Sequence, residues 1–210
     1  MLDEIVGLGA VHLFQRLALL GRMKYITRWS LMHNSSPESL SEHTADTALI
    51  AHMLCRIALH CTGTGAGIRP DTVATAALYH DAPEILTGDM PTPVKYKNDA
   101  LRTAYKAVEA ESARAMASLL PEELAAGTAQ YLTGGVLNDA ERKLLKAADR
   151  LSALIKCIEE GQSGNREFEA ARAQQEAALH AMDCPEAEYF MEHMLPCYTQ
   201  NLDELTRGRF

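Results

Sequence analysis

His80, Asp81 and Glu84 crowd together in the stretch "YHDAPEILTGDMPTP", in otherwise apolar surroundings. Ionisable groups so placed are costly unless a metal, an ion partner or a bound substrate compensates them. On a helix, adjacent His80 and Asp81 diverge by about 100° yet both reach a single ion lying over the groove between them. Glu84 follows at helical spacing, close enough on the same surface to act on a water beside that ion. In "LLKAADRLSALIKC", Asp149 lies on an otherwise apolar helix face and needs a cation or several donors. His43, in "SEH", stands at the start of a long helix with no obvious local partner. Singly, each has a plainer reading. An HD dipeptide arises by chance, a buried Asp can bond backbone or an arginine of another helix, and a helix-terminal His is commonly a packing residue. Together, His43, His80, Asp81 and Asp149 form a two-histidine, two-carboxylate set suited to a first-row divalent ion with positions open for water and substrate. The lack of thiolates in the set favours manganese, cobalt, iron or zinc over a structural zinc.

The elements that must carry these residues read as helices. Apolar residues recur at helical spacing almost throughout and β-branched period-2 runs are nearly absent, so the fold class is all-α. Ser39 followed by Glu42 is a capping-box pattern opening a helix to about His60, which puts His43 in its first turn. The glycine-rich "CTGTGAGIRP" follows no strand and lacks the ending of a phosphate-binding loop, so it reads as a connection. Asp71 after Pro70 can cap the next helix, which runs into the His80 stretch. Pro83 then imposes a kink or a new helical turn with Pro83 near its first position. Further helices are expected over 99–119, after Pro121, over 138–160 with Asn138 and Glu141 as a capping pair, over about 165–181, and over 185–205 starting at Asp183 and Pro185.

Composition limits what such a chain can do. Its 210 residues suffice for one substantial core, and a single domain over 1–210 is the expectation. A hydrophobic fraction of 47% with 23% charged residues excludes disordered and fibrous classes. With a net charge of −8 and scattered Lys and Arg, no polymeric nucleic acid is expected as a partner, although a local phosphate pocket remains open. The cysteines are odd in number and lack CxxC spacing, which fits a reducing compartment. The N-terminus carries Asp3 and Glu4 where a secretory signal wants basic residues, and no run reaches transmembrane length, so a cytoplasmic protein without membrane association is expected.

The order H…HD…D, running from His43 through His80 and Asp81 to Asp149, resembles the signature of the HD-domain metal-dependent phosphohydrolases. "ITRWSLMHN", "SEHTADTALIAH", "YHDAPEILTGDMPTPVKY", "KAADRLSALIKC" and "YFMEHMLP" are similar, more closely, to the bacterial HD-domain 5′-deoxynucleotidases, from about His12 to Leu205. The resemblance implies an HD-domain helical bundle, a homodimer, and hydrolysis of 2′-deoxynucleoside 5′-monophosphates. It implies His43, His80, Asp81 and Asp149 as ligands of a divalent ion, cobalt or manganese foremost, with His43, Asp81 and Asp149 also bordering the substrate. Glu84 matches the residue that orients or deprotonates the attacking water, and Arg28 the one that orients the phosphate. Trp29 matches the wall that leaves no room for a ribose 2′-hydroxyl. Asp89, with Met90, Pro91 and Thr92, matches the segment on the sugar, Asp89 being the partner of the 3′-hydroxyl. Without the resemblance, Arg28 reads as a surface arginine and Trp29 as a core anchor.

Departures from the family pattern are Pro83, the loop from Gly63 to Gly67, and His33 where another basic residue is expected. His12, His52, His60, His180 and His193 read as structural or surface residues. Rival activities are an HD phosphohydrolase of another ester, such as a triphosphate or a guanosine alarmone, and a nucleotide sensor that has lost turnover. Against the alarmone reading, Ile85 follows Glu84 where HDxxED is wanted.

Overall fold

The computed structural model describes residues 18–95, 97–119 and 122–207. His12 and the N-terminal stretch before residue 18 lie outside the described residues. Among those described the regular elements are helical, and the only β feature is an isolated antiparallel bridge between Thr27 and Ser39. In chain order the α-helices are α1 (Leu40–Ile57), α2 (Pro70–Tyr79), α3 (Glu84–Thr87), α4 (Thr92–Lys95) and α5 (Asp99–Ser118). They continue as α6 (Glu122–Leu132), α7 (Asp139–Gln162), α8 (Glu169–His180), α9 (Pro185–His193) and α10 (Leu202–Thr206). No helix of the described residues is long and apolar enough to cross a membrane.

The chain divides into two compact units. One takes its described residues from the segment up to Met32, from Pro37–Ala45 and from Thr75–Asn138. Within it α5 and α6 pack as a helical hairpin, and α3 and α4 lie against α5. Ala82, Met116 and Leu132 form the buried centre, with Leu19, Leu20, Tyr79 and Ile85 packed on it. Pairing an Ala from the His80 turn with a Met of α5 fixes that turn to the longest helix of the unit.

The other unit is built from His33–Ser36, Asp46–Ala74 and Asp139 onward. Its central helix, α7, has every residue from Leu151 to Ile158 buried, polar Ser152 and Lys156 included. A helix apolar on all sides belongs in the middle of a bundle; α8, α9 and the 3₁₀ turn Leu195–Thr199 pack on this one. Lys156 is paired with Glu160 one turn on, both side chains almost fully buried. Glu160 also accepts the backbone N–H groups of Ser35 (2.8 Å) and Ser36 (3.1 Å) and the Asn165 side chain (2.7 Å). Burial alone would raise its pKa, but those donors outweigh burial and hold the carboxyl well below the usual range. Elsewhere in this unit Cys55, Cys157 and Cys184 are buried thiols, while Cys61 and Cys197 are exposed.

Several expected boundaries shift, each for a local reason. Helix α1 keeps its capping box, with Ser39 N–H donating to Glu42 (2.7 Å) and Glu42 N–H to Ser39 Oγ (3.3 Å), but it passes into a π turn at Ala58–Thr62 before the glycine loop. At Gly65 in that loop a Cβ would sit 2.7 Å from Leu59 Cα, so the glycine is required by close approach of backbone. Asp71 lies inside the first turn of α2, which begins at Pro70, and does not cap it. Glu141 gives its buried carboxylate to Arg69 N–H (3.0 Å) and Nε (2.8 Å). The helix expected over 165–181 begins with a 3₁₀ turn, Arg166–Phe168, whose Glu167 N–H is capped by Asn165. The single helix expected over 185–205 is three pieces: α9, the turn Leu195–Thr199 and α10. Pro196 cannot donate to the preceding turn and breaks it. Asp183 takes a left-handed φ of 51° ahead of Cys184, which is the N-cap residue, and Pro185 stands at the first helical position.

Candidate metal and catalytic site

His80 and Asp81 do not stand on a helix. Helix α2 ends at Tyr79, the turn 80–83 follows, and α3 starts at Glu84 with Pro83 as its N-cap residue. Pro83 therefore opens a new helical turn, one of its two expected effects. The turn is closed by backbone bonds from Ala82 N–H to Tyr79 O (3.0 Å) and from Glu84 N–H to Asp81 O (3.0 Å). Breaking the helix here frees the paired side chains from helical divergence and lets both turn to one point.

His43 meets them there. Its N–H bonds Ser39 O (3.1 Å), so the capping box that starts α1 also sets this imidazole, which is fully buried. The His43 and His80 rings lie 5.3 Å apart, centroid to centroid. Asp81 Oδ2 is 3.4 Å from His43 Nε2 and 3.2 Å from His80 Nε2, and one ligand atom of each residue lies within 4.8 Å of the others. Bonds of about 2.1 Å from nitrogen and oxygen to a first-row divalent ion put neighbouring donors about 3 to 3.5 Å apart, so the spacing suits such an ion. Ring orientation points the same way. His80 Nδ1 lies 2.6 Å from Ala77 O, a contact in which Nδ1–H donates, which leaves Nε2 facing the Asp81 oxygen.

Asp149 belongs to the other unit, on α7, where Lys146 donates to it at 2.6 Å. Among the described residues, His43, His80 and Asp81 form a group able to hold a metal ion.

Around this group lie the remaining residues singled out by sequence. Glu84, 6% exposed, has Lys95 Nζ 3.8 Å from Oε1, and its Oε2 has no hydrogen-bond partner among the described residues. Burial, with Asp81 and Asp89 adding to it against Lys95 and Arg28, pushes its carboxyl up to about 9. A divalent cation on Asp81 would oppose that shift and favour the carboxylate. Gly88 ends α3 with φ 73°, its N–H on Glu84 O at 2.7 Å, and the chain continues into Asp89. Asp89 is raised by burial and by Asp81, while Arg28, His43 and the Trp29 N–H oppose the shift. Met90 and Pro91 are half-buried in the connection to α4, and Pro91 O accepts the N–H of Val94 and Lys95. Thr92 opens α4, and its side chain lies outside the described residues.

Arg28 and Trp29 occupy the segment bridged to the start of α1. Trp29 adopts φ 58°, a left-handed conformation that costs about 1–3 kcal/mol for a bulky residue and persists only where its surroundings over-determine it. Neither residue is a surface arginine or a core anchor, since both are half-buried at a carboxylate, Glu38.

Three polar residues here escaped sequence reasoning. Glu38 accepts from Arg28 Nη1 (3.0 Å) and Trp29 Nε1 (2.8 Å). Lys95 bonds Glu109 at 2.8 Å and lies 4.6 Å from the Tyr105 ring centroid. Burial works against the Lys95 ammonium, but Glu109, Glu84 and Tyr105 outweigh it and hold its pKa above the ordinary range. Glu38 falls in an irregular Ser-Pro stretch, and Lys95 is separated from Glu84 by two prolines and a glycine. No periodicity links either to its partners. A cavity of about 480 Å³ opens beside His80, Asp81 and Glu84, lined also by Glu109, Arg114 and Thr133. It is large enough for a small-molecule ligand.

Known proteins resemble this chain over most of its length. The family described as 5′-deoxynucleotidase YfbR-like matches residues 15–198. A 5′-deoxynucleotidase of Vibrio parahaemolyticus is 39% identical over 195 residues, which span 93% of this chain and 98% of that protein. The 5′-deoxynucleotidase YfbR of Escherichia coli is 40% identical over 190 residues, spanning 90% of this chain and 94% of the relative. Among solved structures, an HD-domain phosphohydrolase from Listeria innocua superposes with a TM-score of 0.76 at 24% identity, covering 89% of each chain. A cyanophage S-2L HD phosphohydrolase, solved with dA and one catalytic zinc ion, gives a TM-score of 0.62 at 20% identity over 85% of this chain and 95% of that one. At those identities the likeness is one of fold, an HD-domain helical bundle.

Proposed function

The chain belongs to the YfbR-like 5′-deoxynucleotidase family, and we propose that it hydrolyses 2′-deoxynucleoside 5′-monophosphates to deoxynucleosides and phosphate with a divalent ion at His43, His80 and Asp81. The observation that carries this reading is the convergence of those three donors within 4.8 Å, with the buried Glu84 beside them. Asp149 is the proposed fourth ligand, on the strength of the family's H…HD…D order. When bound, the ion supplies Lewis-acid polarisation of the phosphate and lowers the pKa of a water towards about 7.

The chain's own residues do the rest. Glu84 Oε2 accepts a hydrogen bond from the attacking water and takes its proton, while Lys95 restrains the Oε1 side. Arg28 holds phosphate oxygens and neutralises charge that develops on them during in-line displacement. Water oxygen bonds to phosphorus, the bond to the 5′-oxygen breaks, and the released proton is available to the leaving deoxynucleoside. Trp29 walls the 2′ face of the sugar and Asp89 accepts from the 3′-hydroxyl, with Met90, Pro91 and Thr92 shaping that side.

Cobalt or manganese as the working ion and a homodimer belong to the same proposal and rest on the family resemblance, while a cytoplasmic location rests on cysteine usage and a single domain over 1–210 on chain length. The deciding experiment measures phosphate release from dAMP, AMP and the 3′-phosphate isomer of dAMP by chelator-stripped protein. Cobalt, manganese, magnesium and zinc are added back separately, with Glu84→Ala in parallel. Metal-dependent release from dAMP alone, abolished in Glu84→Ala, is the expected result; silence on all three substrates would overturn it.

A further inference from the structure

Within the reading above, a wall that excludes a hydroxyl must be stiff. An apolar surface cannot by itself strongly reject a substrate that only adds a hydroxyl, because a side chain free to swing aside makes room for it. What holds Trp29 therefore matters as much as Trp29 itself.

Two carboxylates hold it. Its backbone N–H donates to Asp89, and its indole Nε1–H donates to Glu38 Oε2 at 2.8 Å. The same Oε2 receives Arg28 Nη1 at 3.0 Å, so one oxygen ties the sugar wall and the phosphate-binding guanidinium together. Glu38 is itself fixed by its backbone. Arg28 N–H bonds Glu38 O at 2.9 Å, and the next residues, Thr27 and Ser39, form the antiparallel bridge. Met32 N–H on Trp29 O (2.9 Å) closes the turn around the left-handed residue. Both members of the Arg28–Glu38 pair are nearly buried, at 12% and 11% side-chain exposure, where such a hydrogen bond is poorly screened.

We propose that Glu38 is a positioning residue for deoxynucleotide selectivity, acting through Trp29 and Arg28 without touching the reacting atoms. It sets the register between the surface that excludes the 2′-hydroxyl and the group that grips the phosphate. Loss of the carboxylate frees both at once; replacement by glutamine keeps an oxygen for the indole and loses the charge that orients Arg28.

The test compares wild type, Glu38→Ala and Glu38→Gln with dAMP and AMP, and follows acrylamide quenching of the protein before any metal is added. Trp29 is the only tryptophan, so the emission reports this residue alone. In Glu38→Ala the dAMP-to-AMP ratio of kcat/KM falls on the order of tenfold, the size of discrimination an apolar contact supplies. Trp29 also becomes more quenchable. In Glu38→Gln that ratio and the quenching return towards wild type while KM for dAMP stays raised. A Glu38→Ala protein with wild-type ratio and quenching overturns the proposal. If that variant fails to fold, Glu38→Gln decides, and an unchanged KM in it overturns the link to Arg28. Wild type inactive on both nucleotides would instead sink the hydrolase reading and the selectivity claim with it, whereas unchanged quenching in Glu38→Ala against an active, selective wild type sinks this inference alone.

Discussion

Glu84 and Glu160 are both buried glutamates, one in each unit, and they are treated in opposite ways. Glu160 is surrounded by donors: Lys156, Asn165 and the backbone N–H groups of Ser35 and Ser36 all point at it, and it stays ionised. Glu84 has Lys95 at 3.8 Å on one oxygen and no hydrogen-bond partner among the described residues on the other, and its pKa climbs to about 9. Equal burial thus has two outcomes, decided by how many donors the fold spends on the carboxylate. A satisfied one ties a loop to a helix. An unsatisfied one stores a demand that water and a cation can meet, which is what a catalytic base requires.

The contrast breaks most sharply at Glu84. Glu84→Gln is expected to lower kcat by about 10²- to 10⁴-fold, the usual worth of a general base. Its melting temperature should match or exceed that of wild type, since no donor set is orphaned; a clear drop in Tm would show that Glu84 is structural after all. Lys156→Met should do the reverse, removing about 3 kcal/mol of stability by leaving Glu160 buried without its cation, as read by urea unfolding. The same carboxylate gives a pH dependence. A folded-state pKa below the unfolded value of about 4.3 contributes stability that is fully present above that value and is lost as pH falls below it. Wild type should therefore lose stability on acidification below about pH 4.3 more steeply than Glu160→Gln, and parallel curves would refute the assignment.

Two smaller effects sharpen the comparison inside the first unit. Arg28→Lys keeps the charge but not the planar donor pair and should lose about tenfold in kcat/KM for dAMP. Unchanged kcat/KM would remove Arg28 from the site. Ser39→Ala deletes a satisfied cap and should cost about 1 kcal/mol in urea unfolding. A loss of metal affinity without that stability change would show that the capping box serves His43 more than it serves α1.

Sequence reasoning reached the parts of the site that carry local signatures. The capping box placed His43, the HD pair announced itself by its apolar surroundings, and Pro83 marked the new helical turn. What stayed hidden was set by tertiary partners. Nothing in "SSPESL" shows that Glu38 will meet Arg28 and Trp29 across an antiparallel bridge, and nothing in "PVKY" aims Lys95 at two glutamates. Helix periodicity also overran its evidence. It carried α2 through His80, although the chain leaves the helix at Tyr79, and it ran one helix through Pro196, whose missing donor was visible in the sequence.

The cysteines of the second unit carry a practical consequence. Burial, with Glu141 and Glu186 adding to it, pushes the Cys55 thiol up to about 12, and burial with Glu186 pushes Cys184 up to about 11. The thiolate is the reactive form, so maleimides and mild oxidants will pass over both residues and modify the exposed Cys61 and Cys197. Fluorophores or surface tethers can thus be attached at two chosen points by ordinary thiol chemistry. Neither point lies in the chain segments that supply His43, His80, Asp81 or Glu84.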